Sequence, residues 1–173
     1  VPAWLTCTAG ALSGTPADAD VGSHSVVITA TDGNSGSATD SFSIAVANTN
    51  DAPSISSTAV TAVNEDASYS YSIAVSDDDS DSSDSWTITS SAVSWLTLTH
   101  TAGASTATLA GSPDDGDVGV HSVTITVADA AGATGTQAFT IVVANTNDAP
   151  TISSTAVTAA TEDTAYTYTV TAA

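Results

Sequence analysis

An all-β fold is predicted for this chain, arranged as tandem antiparallel β-sandwiches. Three observations predict it. Apolar and polar residues alternate along several runs, one sequence unit returns after about a hundred residues, and no segment has the periodicity of an amphipathic helix.

The alternation comes first because it assigns faces. Tyr69, Tyr71, Ile73 and Val75 fall on one side of an extended strand, with Ser68, Ser70, Ser72 and Ala74 on the other. Val123, Ile125 and Val127 alternate with Ser122, Thr124 and Thr126, and Phe139, Ile141 and Val143 continue the pattern. Gly111-Ser112-Pro113 and the Asp/Ser-rich run 77–85 punctuate these segments as turns. Strands with one apolar and one hydroxyl face suit antiparallel sheets that stack in pairs, each with one wet side.

The repeat sets the unit. Gly14–Asp32, GTPADADVGSHSVVITATD, returns as GSPDDGDVGVHSVTITVAD at Gly111–Asp129, an offset of 97. The same offset carries Phe42 onto Phe139, NTNDAP at 48–53 onto 145–150, and Tyr69 and Tyr71 onto Tyr166 and Tyr168. Trp4-Leu5-Thr6 matches Trp95-Leu96-Thr97 at an offset of 91. A unit of about 100 residues is the size of an immunoglobulin-like sandwich. Residues 1–47 therefore read as the C-terminal part of one repeat, 48–149 as a complete repeat with its linkers, and 150–173 as the first strands of the next. Two readings of such boundaries stand. Either the polypeptide continues, or identical subunits complement one another by strand addition.

Charge narrows the function. The chain has no Lys or Arg and 19 acidic residues, a formal net charge of −19. Nucleic acids and anionic membranes are both recognised through basic side chains, so neither is an expected partner. No apolar run approaches the roughly 20 residues that span a bilayer. With 42% apolar residues the chain is too hydrophobic for a disordered acidic tail, so its carboxylates repel one another unless a cation sits among them. The single Cys7 cannot form an internal disulfide, and a lysine-free chain cannot form Lys–Asn cross-links.

The stretch VADAAGATGTQAFTIVVANTNDAP at 127–150 resembles the end of a cadherin-type repeat running into its linker. WLTLT and the G-S-P…DVG-x-H-S-V-T-I-T-V-A-D pattern resemble the dystroglycan-type cadherin-like and immunoglobulin-like repeats of very large bacterial surface proteins. The resemblance implies calcium at the joints between repeats. It assigns Asn48, Asn50 and Asp51 of the linker to the first joint, with Asp77, Asp79 and Asp129 of the following repeat. It assigns Glu65, Asn145, Asn147 and Asp148 to the second joint, and Asp32 to the joint before the first repeat. Calcium takes six to eight oxygens with loose geometry, which an Asn/Asp linker can offer. The chain departs from the family pattern in having Asn48 where the linker usually begins with Asp, and Ala52 where it ends with Asn. That implies fewer ions per joint or weaker binding. The plain alternative is an Asx-rich linker closed by proline, with Asp81 and Asp84 in a solvated loop.

Other chemistry-bearing residues read as architecture. His24 and His121 occupy one position in successive copies, as do Trp4 and Trp95, so a packing role is expected and no catalytic set emerges. Cys7 aligns with Leu98 and is expected to be a small core filler. The expected function is a secreted, calcium-stabilised stalk, filament or adhesin module at a cell surface, partnered by neighbouring repeats or identical subunits. The alternative is a carbohydrate-binding or adhesive module, for which Trp86 is the candidate aromatic.

Overall fold

A computed structural model describes residues 1–79, 85–91 and 93–173. Asp81 and Asp84 lie outside the described residues. The first copy contributes β1 (Leu5–Thr8), β2 (Ala11–Gly14), β3 (Gly22–Thr31) and β4 (Ser37–Val46). The second contributes β5 (Ser54–Ile55), β6 (Ala62–Asn64), β7 (Tyr69–Ser76), β8 (Thr87–Ser90), β9 (Leu96–His100), β10 (Thr106–Gly111), β11 (Gly119–Ala128) and β12 (Thr134–Ala144). Strands β5-β7-β10-β9 make one sheet and β6-β12-β11-β8 the other. All these pairings are antiparallel except β6 with β12, which is parallel because the chain changes sheets between Ile55 and Ala62.

The predicted alternation fills the space between the sheets. Tyr69, Tyr71 and Ile73 are buried while Ser70 and Ser72 are exposed. They pack with Val123, Ile125 and Val127 of β11 and Ile141 of β12. Each such side chain contributes roughly 1.5–3 kcal/mol by leaving water. Buried tyrosine hydroxyls need partners, and these have them. Tyr69 donates to the Val60 carbonyl at 2.8 Å, and Tyr71 donates to Gln137 Oε1 at 2.8 Å, tying one sheet to the other. The Tyr71 ring stands edge-on to Phe139 with centroids 5.8 Å apart.

The short repeated motifs have local causes. A Cβ at Gly111 would lie 1.9 Å from the Trp95 carbonyl oxygen, and one at Gly14 equally close to that of Trp4. Only glycine fits where β9 approaches β10, or β1 approaches β2. Short 3-10 turns follow, Asp18–Asp20 and Asp115–Asp117, each closed by its last aspartate accepting from the backbone N–H three residues earlier. His24 and His121 then hydrogen-bond the carbonyls of Asp20 and Asp117 at 2.5 and 2.6 Å. Their rings stand edge-on to Trp4 and Trp95. The repeated histidines are therefore turn-locking groups.

In the first copy, β1–β2 and β3–β4 keep the registers of β9–β10 and β11–β12. Residues 150–173 form an isolated Ile152–Ala172 bridge, with Tyr166 donating to Val157 as Tyr69 does to Val60. Two expectations are corrected. Cys7 is exposed, whereas its counterpart Leu98 is half-buried against the core between the two sheets. Trp86 is 7% exposed and sits in the core, so it offers no face to a sugar. Among the described acidic residues, only Asp40 lies within a strand; the others occupy turns and loops at the ends of the sandwiches.

Candidate metal centre

The fold gathers the acidic loops where one copy meets the next. At the first joint the linker lies on the following sandwich. Asn48 Nδ2 donates to Asp79 Oδ1 and the Asp51 N–H to Asp79 Oδ2, both at 2.8 Å. Asn50 Nδ2 donates to Asp129 Oδ2 at 2.8 Å. Asp79 and Asp129 are each 8% exposed. Asp129 is fixed in the β11–β12 turn, its Oδ1 accepting from Gly132 and Ala133 at 2.6 and 2.8 Å. Asp77 joins them through Oδ1, which accepts the Asp79 N–H, while its Oδ2 is buried without a partner among the described residues.

The second joint displays the preceding side. The parallel β6–β12 pairing, extended by Glu65 N–H donating to the Ala144 carbonyl, brings Glu65 to the point where the linker begins. Glu65 is 2% exposed. Its Oε1 accepts from Asn145 Nδ2 at 2.8 Å and from Thr146 N–H at 2.5 Å, and its Oε2 is buried without a partner among the described residues. Oxygens of Glu65, Asp115 and Asp148 lie within 4.8 Å of one another. Asn147 Nδ2 donates to the neighbouring Asp148 carbonyl at 3.1 Å. Asp32 is exposed and accepts from the Asn34 and Gly36 N–H groups, which pull its pKa down.

Asp115 is the residue that sequence reasoning missed, together with its counterpart Asp18. Its turn holds three acids, and coordinates are needed to separate them. Asp114 caps Gly116, Asp117 closes the turn, and Asp115 is left facing the joint. The available signal was that both copies keep an aspartate at this place.

Electrostatics distinguish the groups. The Asp51 carboxyl is held above its usual value, by Asp18 first, then by partial desolvation and by Asp79, Asp78 and Asp77. Asp129 is held below it, by the Asn50 amide first and by backbone N–H groups, against the opposing effect of burial. An unpaired buried carboxylate oxygen is costly, and a chain without Lys or Arg has no cationic side chain of those kinds to offer it. The donors are carboxylate, carboxamide and backbone oxygens, so the residues present fit a hard divalent cation. When bound, such an ion supplies positive charge that neutralises carboxylates from both neighbours at once.

The sequence profile of the family described as "Putative Ig domain" matches residues 1–47 and 52–144. Among solved structures, the protocadherin GammaB4 extracellular domain is 19% identical, covering 87% of this chain and 26% of its own, at a TM-score of 0.64. A protocadherin gammaB7 EC3-6 cis-dimer is 20% identical over 88% of this chain and 40% of its own, at 0.61. An endo-fucoidan hydrolase of glycoside hydrolase family 107 is 27% identical over 84% of this chain and 23% of its own, at 0.48, a superposition too loose to imply function. No curated protein sequence matches. The chain thus spans well under half the length of these solved structures, and the protocadherin likeness is one of fold.

Proposed function

The chain belongs to the Putative Ig domain family, and from that premise we propose that it is a calcium-stabilised structural module of an extracellular stalk, filament or adhesin. Its units are 1–47, 48–149 and 150–173, and it acts at the joints between them. The observation that carries this reading is a buried carboxylate oxygen without a partner among the described residues at each joint, Asp77 Oδ2 at the first and Glu65 Oε2 at the second. The ligands are Asn48, Asn50, Asp51, Asp77, Asp79 and Asp129, with Asp18 from the preceding copy, at the first joint. At the second they are Glu65, Asp115, Asn145, Asn147 and Asp148. Asp32 serves the joint before it.

The mechanism is geometric. Without a cation, carboxylates from two neighbours repel and the joint bends. With one, both neighbours and the linker share a single positive centre and the array extends. Neighbouring repeats or identical subunits are the partners. The test is thermal melting and small-angle scattering of the full chain in calcium and in EDTA. Calcium is expected to raise Tm and lengthen the particle; identical curves in both would end the proposal.

A further inference from the structure

We infer that Asn50 is a positioning residue whose amide holds the linker on the following sandwich before any ion binds, so that calcium stiffens a joint already half closed. This deepens the calcium reading and rests on it. Both amide protons of Asn50 are used, one on Asp129 Oδ2 and one on the Asp51 carbonyl, each at 2.8 Å. With Asn48 Nδ2 and the Asp51 N–H, three donors from four consecutive residues reach two nearly buried carboxylates. Hydrogen bonds to a carboxylate are about twice as strong as neutral ones. The preceding side is clipped in the same way, Glu65 accepting from Asn145 and Thr146.

The residue type at position 50 therefore sets how far the joint depends on its ion. A carboxamide gives N–H to Asp129 and holds without a cation. A carboxylate there would repel Asp129 in chelator and add a charged ligand in calcium. Asn50→Asp should exchange a linker that is ordered without calcium for one that is ordered only with it.

The experiment uses the whole 173-residue chain. In EDTA, the side-chain amide protons of Asn50 are expected to exchange about tenfold more slowly than those of exposed Asn34, the factor a charge-assisted hydrogen bond supplies. Asn50→Asp should lose linker order in EDTA, read from backbone exchange at 48–51, and regain it at severalfold lower calcium than wild type needs. Asn50→Asp combined with Asp129→Asn exchanges donor and acceptor, and should restore order in EDTA, which separates the clasp from simple misfolding. Exchange at Asn50 as fast as at Asn34, or an Asn50→Asp linker as ordered in EDTA as wild type, overturns the inference. A linker protected in EDTA and indifferent to calcium would instead sink the calcium reading and leave the clasp standing.

Discussion

The same residues appear in this molecule inside a closed sandwich and outside one, and their contacts survive the change while their burial does not. Trp95 and His121 meet edge-on with centroids 5.8 Å apart, and Trp4 and His24 do so at 5.9 Å. Tyr69 and Tyr166 both donate to a carbonyl nine residues back. Yet Tyr69 is 2% exposed and Tyr166 53%. Short-range polar geometry is thus written into each copy of the repeat. Burial, and the stability that comes with it, requires both sheets.

The largest test of that contrast is a pair of truncations. Tyr69→Ala should cost about 3–5 kcal/mol, as large-to-small changes in cores do, while Tyr166→Ala should stay within about 0.5 kcal/mol, as surface changes do. Urea denaturation monitored by tryptophan fluorescence checks both. Equal losses would mean that residues 150–173 are as deeply packed as β7.

Next comes a change whose sign depends on the medium. Glu65→Gln keeps the Oε1 acceptor and removes a buried charge. In EDTA it should stabilise, and in calcium it should destabilise, each by roughly 1–3 kcal/mol, the range for an unsatisfied buried polar group. Melting curves in the two buffers check it, and the same sign in both would detach Glu65 from the ion.

Alkali probes the contrast more gently. Burial first, then the nearby Tyr71, pushes the Tyr69 hydroxyl from 10.0 up to about 12. The folded state therefore favours neutral Tyr69. Its contribution is intact below pH 10 and is lost as pH rises through 12. Absorbance titration of wild type against Tyr69→Phe should reveal one late-ionising phenol, and its absence would mean that water reaches the core there.

The smallest effect concerns the 3-10 turns. Asp114 accepts from the Gly116 N–H at 2.9 Å, whereas its counterpart Ala17 has no side-chain acceptor. Ala17→Asp should make the first copy's turn resemble the second's, adding about 0.5–1 kcal/mol, measurable as slower amide exchange at Ala19.

The strands with a strict two-residue pattern were legible in sequence, β7, β11 and β12 above all, because one wet face and one dry face leave a direct trace. Strands β5 and β6 were not, since they are two and three residues long and are defined by which neighbour they pair with. The joints were legible through a resemblance that named most of the residues now found together. Asp115 escaped because chemistry alone cannot separate three acids in one turn, and Trp86 misled because a tryptophan beside an acidic loop need not share its exposure. Glu65 was expected near a joint; its near-complete burial comes from the parallel β6–β12 pairing, which no local pattern announces.

In the repeat 48–149 the described acidic groups are confined to the two ends of the sandwich, with a consequence for long arrays. Strand β11 spans ten residues between the acidic ends, roughly 30 Å at about 3.3 Å per residue, against a screening length of about 8 Å in physiological salt. Uncharged Ser122–Thr140 and Thr126–Thr136 rungs lie between them. Filling one end therefore leaves the next electrostatically unaware. Uptake along many such units should follow a simple hyperbolic isotherm, with rigidity accumulating link by link and no collective transition.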